Sequence, residues 1–275
     1  MLVGLFVFIL GSCVGSFLNV CIYRMPREIS IVKPFSFCPK CKAPIKWYDN
    51  IPILGFFLLG GKCRSCKEPI SPRYPLVEAI TASLFLILYI KFSLSFSFLK
   101  YILFFSLLVV VSFIDIDYHA LPVSLCFIGV SLGIIFSLYE TIHTITKWGV
   151  VNIYTLPIVK SLVGLVAGFG FTYAFKFFGD IFISLYLAFR KKESIEGEKE
   201  SLGLGDVDFM GMVGVFLGAK LTILAFFLAP FLAIFYSIFA LIFKRSHIIP
   251  YLPYLSLASF LSFVVGDFIL NFLKF

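Results

Sequence analysis

Apolar residues in this chain fall in long uninterrupted runs, not in the alternating or heptad patterns of soluble folds. About twenty such residues carry an α-helix across a hydrocarbon layer about 30 Å thick. Eight segments meet or approach that length, at roughly 2–23, 74–90, 98–114, 121–139, 160–189, 206–218, 221–243 and 252–273. The first carries Gly11, Ser12, Gly15 and Ser16, a small-residue face suited to close helix contact. The fifth is long enough to project beyond a bilayer, and the sixth is short and rich in glycine. Residues 140–157 read as an amphipathic connector, with Trp148 and Tyr154 as interface anchors. The pattern predicts an all-α polytopic membrane protein with about eight transmembrane helices.

One interval breaks the pattern. Residues 24–75 hold ten Lys/Arg, three acids and four paired cysteines, too polar to span. They are expected to fold as a small loop domain after the first helix, between a helix over 1–23 and a membrane core over 76–275. Composition agrees: the 275 residues are 60% hydrophobic, against about half in ordinary soluble domains. The net charge of +8 adds orientation. The first run has no basic residue before it and no cleavage-site pattern, but Arg24 and Arg27 follow it, so it reads as a retained helix with its N-terminus outside. The loops then assigned to the cytoplasm, including the charged stretch 190–205, carry sixteen Lys/Arg against six on the other side. No basic, aromatic-lined groove supports nucleic acid as a partner; the expected surroundings are membrane lipid.

Cys38-x-x-Cys41 and Cys63-x-x-Cys66 offer two thiolate pairs at zinc-knuckle spacing. A cytoplasmic loop is reducing, which disfavours the rival disulfides. A structural zinc held by these four cysteines is the expectation. Cys13, Cys21 and Cys126 lie within helices and read as small apolar residues.

The remaining chemistry is carboxylate. Ionisable residues at spanning helices are functional candidates because burying their charge is costly. They are Glu78, Asp115, Asp117, Asp180, Asp206, Asp208 and Asp267. Most have a helix-cap or loop explanation. Asp206 closes Gly203-Leu-Gly-Asp, whose glycines allow a tight turn and a close approach. Charge counting places it on the same membrane face as Asp115. Two such aspartates could share a proton and activate water.

Together these features resemble the prepilin peptidases, the type IV leader peptidases of bacterial inner membranes. The likeness runs through Gly15-Ser-Phe-Leu-Asn-Val20, Arg24-Met-Pro26, the Cys-x-x-Cys pairs, Trp47-Tyr-Asp-Asn-Ile-Pro52 and Gly61-Lys-Cys63. It continues through Arg73-Tyr-Pro-Leu-Val-Glu78, Asp115-x6-Pro122 and Gly203-Leu-Gly-Asp206. The resemblance implies that Asp115 and Asp206, not Asp117, form the catalytic pair. It implies cleavage of the short basic leaders of type IV prepilins and pseudopilins at the cytoplasmic face of the inner membrane. It also implies N-methylation of the new terminus from S-adenosylmethionine, since all four cysteines are present. Asn19, Arg24, Gly61 and Glu78 are the candidates for the methyl-donor site; packing for Gly61 and an Arg24–Glu78 ion pair are the alternative readings. For Asn19 a helix-helix hydrogen bond is the leading reading, ahead of any catalytic role.

Two positions depart from the family pattern: Val123 follows Pro122 where Asp is frequent, and Asp208 stands where many members have Lys. Two other functions fit parts of the chain. A different Gly-x-Gly-Asp intramembrane protease lacks a reason for the cysteine loop. A carboxylate-dependent cation transporter would place its acids near the membrane midplane, not at helix ends.

Overall fold

The computed structural model describes residues 2–149, 152–190, 201–242 and 250–272. Among these the chain is nearly all helical, with two isolated bridges and no strand. Seven helices are long and apolar enough to cross a membrane, which makes this a multi-pass membrane protein. Two shorter α-helices, of 14 and five residues, accompany them among the described residues. Most of the charged stretch 190–205 and the basic residues Lys244 and Arg245 lie outside the described residues.

The chain forms two compact units, Met1–Pro122 and Val123–Phe275. In the first, α1 (Leu2–Arg24) packs on α3 (Arg73–Phe92), and both meet α4 (Phe96–Tyr118). The small-residue face of α1 is what brings it against α3. A Cβ on Gly11 would lie 2.8 Å from the Ala82 Cα, and one on Gly15 would lie 2.7 Å from the Glu78 Cα. Backbones this close leave no room for a methyl group, so van der Waals contact replaces the missing side chains. Asn19 continues the same face, and its Nδ2 donates to the Tyr74 carbonyl at 3.0 Å. Between α1 and α3 lies the polar loop, with one short helix, α2 (Leu54–Leu58).

The second unit holds α5 (Val123–Trp148), α6 (Pro157–Arg190), α7 (Leu204–Leu217), α8 (Ala219–Ile242) and α9 (Leu252–Phe272). Helix α5 runs nine residues past the expected end at Tyr139. Ile142 and Ile145 keep its apolar stripe going, and nothing breaks it before Gly149, whose φ is +75°. Helix α7 has 14 residues, about 21 Å of helix, too short to cross the bilayer alone. It is instead enclosed, with an unbroken buried run from Phe209 to Phe216. Against α6 its backbone is in direct contact. A Cβ on Gly164 would collide with the Gly214 carbonyl, and one on Gly168 with the Met210 carbonyl.

Candidate active site and metal centre

Within the polar loop, two octapeptides repeat: Cys38-Pro-Lys-Cys-Lys-Ala-Pro-Ile45 and Cys63-Arg-Ser-Cys-Lys-Glu-Pro-Ile70. Each folds the same way. Cys38 N–H donates to the Ala43 carbonyl and Cys63 N–H to the Glu68 carbonyl, both at 2.9 Å. Lys42 and Lys67 both take a left-handed φ of 60°, which turns each chain back on itself. Phe37 bridges to Pro44 and Lys62 to Pro69. Gly60 and Gly61, with φ of 58° and 67°, form the turn that delivers the second knuckle, where positive φ favours glycine. The repeat was visible as sequence; only the spacing of the cysteines drew notice there.

The two knuckles place all four sulfurs within 4.8 Å of one another. Cys38 and Cys66 Sγ are 3.9 Å apart, and Cys41 and Cys63 Sγ 4.0 Å. A tetrahedral ion with bonds of about 2.3 Å needs sulfurs about 3.8 Å apart. The donor set therefore fits zinc. Backbone N–H groups of Cys66 and Ser65 lower the Cys63 thiol to about 7, whereas burial and the neighbouring sulfurs take Cys66 up to about 11, so Cys63 is the readier thiolate of the two. Arg64, inside the second knuckle, grips Asp49 with Nε to Oδ2 at 2.7 Å and Nη2 to Oδ1 at 2.6 Å. That two-point bond holds the Asp49 carboxyl below its usual value and ties the knuckle to the Trp47–Asn50 turn.

Where loop meets membrane helices, three of the four methyl-donor candidates have clear structural contacts. Arg24, 4% exposed, donates from Nη1 to the Ser30 carbonyl and from Nη2 to the Pro34 carbonyl, both at 2.8 Å. Glu78 accepts from the Ile53 N–H at 2.7 Å. Arg24 is thus held by loop carbonyls and Glu78 by a loop amide, in place of the ion pair considered from sequence. Gly61 sits in the turn already described. Asn19 is only half engaged: it is 3% exposed, its Nδ2 makes the helix contact to the Tyr74 carbonyl, and its Oδ1 has no hydrogen-bond partner among the described residues.

Asp115 lies in the last turn of α4, 8% exposed. That turn ends at His119, whose left-handed φ of 49° lets its N–H cap the Asp115 carbonyl at 2.9 Å. Asp117, two residues on, pairs with Arg73 at the start of α3. The first unit therefore gives the two neighbouring aspartates different surroundings.

In the second unit, Asp206 occupies the first turn of α7, three residues after Gly203 at the N-cap. Its Oδ2 accepts from the Gly203 N–H at 3.2 Å. A carboxylate here meets unsatisfied amides and the positive end of the helix dipole. Gly203 has φ −71°, open to any residue, so the tight glycine turn expected there does not occur. The close approach that glycine permits is made lower down, by Gly164, Gly168 and Gly214.

The segment ahead of the motif is pinned by residues that periodicity did not single out. Lys176, 7% exposed, donates to the Leu202 carbonyl at 2.8 Å and pairs with Asp180 at 3.0 Å. Asp180 Oδ1 accepts from Ser201 N–H at 2.7 Å and from its hydroxyl at 2.8 Å. The Ser201 Oγ also donates to the Lys176 carbonyl at 3.0 Å. Gly179 leaves room for this, since a Cβ there would lie 2.6 Å from the Ser201 Oγ. Tyr251, just before α9, has its phenol pushed up to about 12 by burial and by the charge of Asp206. It stays protonated and is a neighbour of that carboxylate.

Comparison with known proteins places these features in one lineage. Residues 9–92 match the bacterial peptidase A24 N-terminal domain, and residues 102–238 match the type IV leader peptidase family. A Klebsiella pneumoniae prepilin leader peptidase/N-methyltransferase is 34% identical over 221 residues, covering 78% of this chain and 85% of that protein. A Myxococcus xanthus protein of the same name is 36% identical over 219 residues, and the chain spans 56% of its length. A Bacillus subtilis one is 28% identical over 268 residues, covering 96% of this chain and 95% of the relative. No solved structure matches.

Proposed function

This chain belongs to the type IV leader peptidase family, and on that footing we propose that it is a bifunctional membrane enzyme, cleaving the basic leader from type IV prepilins or pseudopilins and then N-methylating the exposed terminus. The observation that carries the peptidase reading is Asp206 at the start of a buried helix, with α6 holding its approach segment in place. Asp115, at the end of α4, is its proposed partner through the family motif.

In this reading the pair shares one proton. The first-turn site favours the anion, so Asp206 takes the proton from water while Asp115 donates to the scissile carbonyl oxygen. The water oxygen bonds to the carbonyl carbon. The C–N bond then breaks, and the leaving amine takes its proton from the pair. No covalent enzyme intermediate forms.

Zinc would be held by Cys38, Cys41, Cys63 and Cys66, where it supplies folding energy to a loop with little core of its own. S-adenosylmethionine, when bound, supplies the methyl group. Of its four candidate residues, Asn19 has a buried acceptor free to meet a ligand. Arg24, Gly61 and Glu78 support that site by holding the loop on α1 and α3. The charge balance of the loops supports a cytoplasmic face for both sites, and membership of the leader peptidase family supports a bacterial inner membrane.

The deciding experiment incubates the purified protein with a prepilin and S-adenosylmethionine and follows product mass. Asp115→Asn and Asp206→Asn are each expected to abolish leader loss, by at least about a thousandfold, while insertion persists. Substantial cleavage by either variant would sink the dyad.

A further inference from the structure

Helices α6 and α7 pack antiparallel in a fixed register. Gly164 meets Gly214, Gly168 meets the Met210 carbonyl, and Lys176 reaches the Leu202 carbonyl. Continuing the two glycine contacts by one turn along each helix sets Thr172, one turn beyond Gly168, level with Asp206, one turn before Met210.

Thr172 is 1% exposed. Hydroxyls in apolar helices ordinarily donate to the carbonyl four residues back, which satisfies them within their own helix. Thr81, Ser112, Thr141, Thr222 and Ser259 all do so here, at 2.7–2.8 Å. Thr172 does not. Its Oγ1, like the Ser262 Oγ in α9, has no hydrogen-bond partner among the described residues. A buried hydroxyl left unpaired is destabilising, and where one persists it calls for a functional account. The position supplies one, because the α6–α7 register sets that turn level with the proposed reacting carboxylate.

We propose that Thr172 is a further residue of the peptidase centre, whose hydroxyl oxygen accepts a hydrogen bond from the attacking water beside Asp206. This rests on Asp206 being catalytic. The water gives one proton to the Asp206 carboxylate as its oxygen bonds to the scissile carbonyl carbon. Its second hydrogen points at Thr172 Oγ1, which turns a lone pair toward the carbonyl. Thr172 keeps its own proton and forms no bond to the substrate. Its contribution is orientation.

The test compares the full-length protein with Thr172→Val, Thr172→Ser and Asp206→Asn on a prepilin substrate, with methylation of an already trimmed subunit and melting temperature as controls. Valine keeps the shape and removes the hydroxyl; serine keeps the hydroxyl. Thr172→Val is expected to lower kcat for cleavage about tenfold to a hundredfold, with KM within about twofold. Thr172→Ser is expected to restore most of kcat, methylation to stay at the wild-type value in both, and the melting temperature to hold or rise in Thr172→Val, which removes the unpaired hydroxyl. Wild-type cleavage by Thr172→Val would overturn the proposal. So would an equal loss in the serine and valine variants, or a loss that tracks a lowered melting temperature, since either marks packing. Cleavage surviving in Asp206→Asn would instead remove the premise, whatever the Thr172 variants do.

Discussion

Asp180 and Lys176 hold the segment ahead of Asp206 through hydrogen-bond geometry more than through charge. A lysine inside a membrane helix is costly unless its donors are engaged, and here they reach Leu202 and Asp180. Asp180 in turn holds Ser201 through two bonds to a single oxygen. Asp180→Ala and Lys176→Met are expected to lower kcat for leader cleavage about tenfold or more, with KM little changed. Asp180→Asn keeps that acceptor oxygen and is expected to retain most activity; steady-state kinetics on one peptide would separate the three. Asp206 was readable in the sequence because its motif is local. Asp180 was readable only as one acid among seven candidates, and Lys176 and Ser201 not at all, because their bonds join residues 21 to 26 positions apart in the sequence. Thr172 was hidden for a similar reason: a lone hydroxyl in an apolar run acquires meaning only from the helix it faces.

At the scale of elements, hydropathy alone located every spanning helix, since the bilayer fixes their length and composition more tightly than water fixes those of a soluble helix. It also exposed the short helix, though not why a segment of 14 residues is stable there. Enclosure by its neighbours, above all by α6 at Gly164 and Gly168, supplies that reason. Gly164→Ala is expected to destabilise the α6–α7 contact by about 1–3 kcal/mol, because the added methyl meets a backbone carbonyl that cannot rotate aside. Gly170→Ala, on the same helix with nothing within 4 Å of its Cβ, is expected to be neutral or mildly stabilising. Thermal unfolding in detergent measures both. The motif glycine at 203 misled a reading based on backbone freedom, since its ordinary φ shows that the tight glycine contact lies elsewhere. The end of α5 was misplaced because an amphipathic helix and an interfacial connector share the same residue pattern until a true breaker, Gly149, is reached.

For the molecule as a whole, the two proposed chemistries rest on different kinds of stability. The helical units are held by apolar packing that forms wherever the chain is inserted. The polar loop is held by a repeated eight-residue knuckle whose thiolates converge on one point, with Cys38 buried and Cys41 and Cys66 exposed. Stripping zinc with a chelator, or replacing Cys38 and Cys66 together by Ser, is expected to abolish methylation while cleavage stays within about threefold, because the loop's fold is linked to its metal and the helices' is not. Loss of cleavage in parallel would show that the loop also carries the peptidase. With zinc held there as proposed, the twin knuckle would couple the proposed methylation to a nutrient. A cell short of zinc would go on trimming its pilin subunits but leave a growing share of them without the methyl mark, and the mass spectrum of its pili would record the shortage.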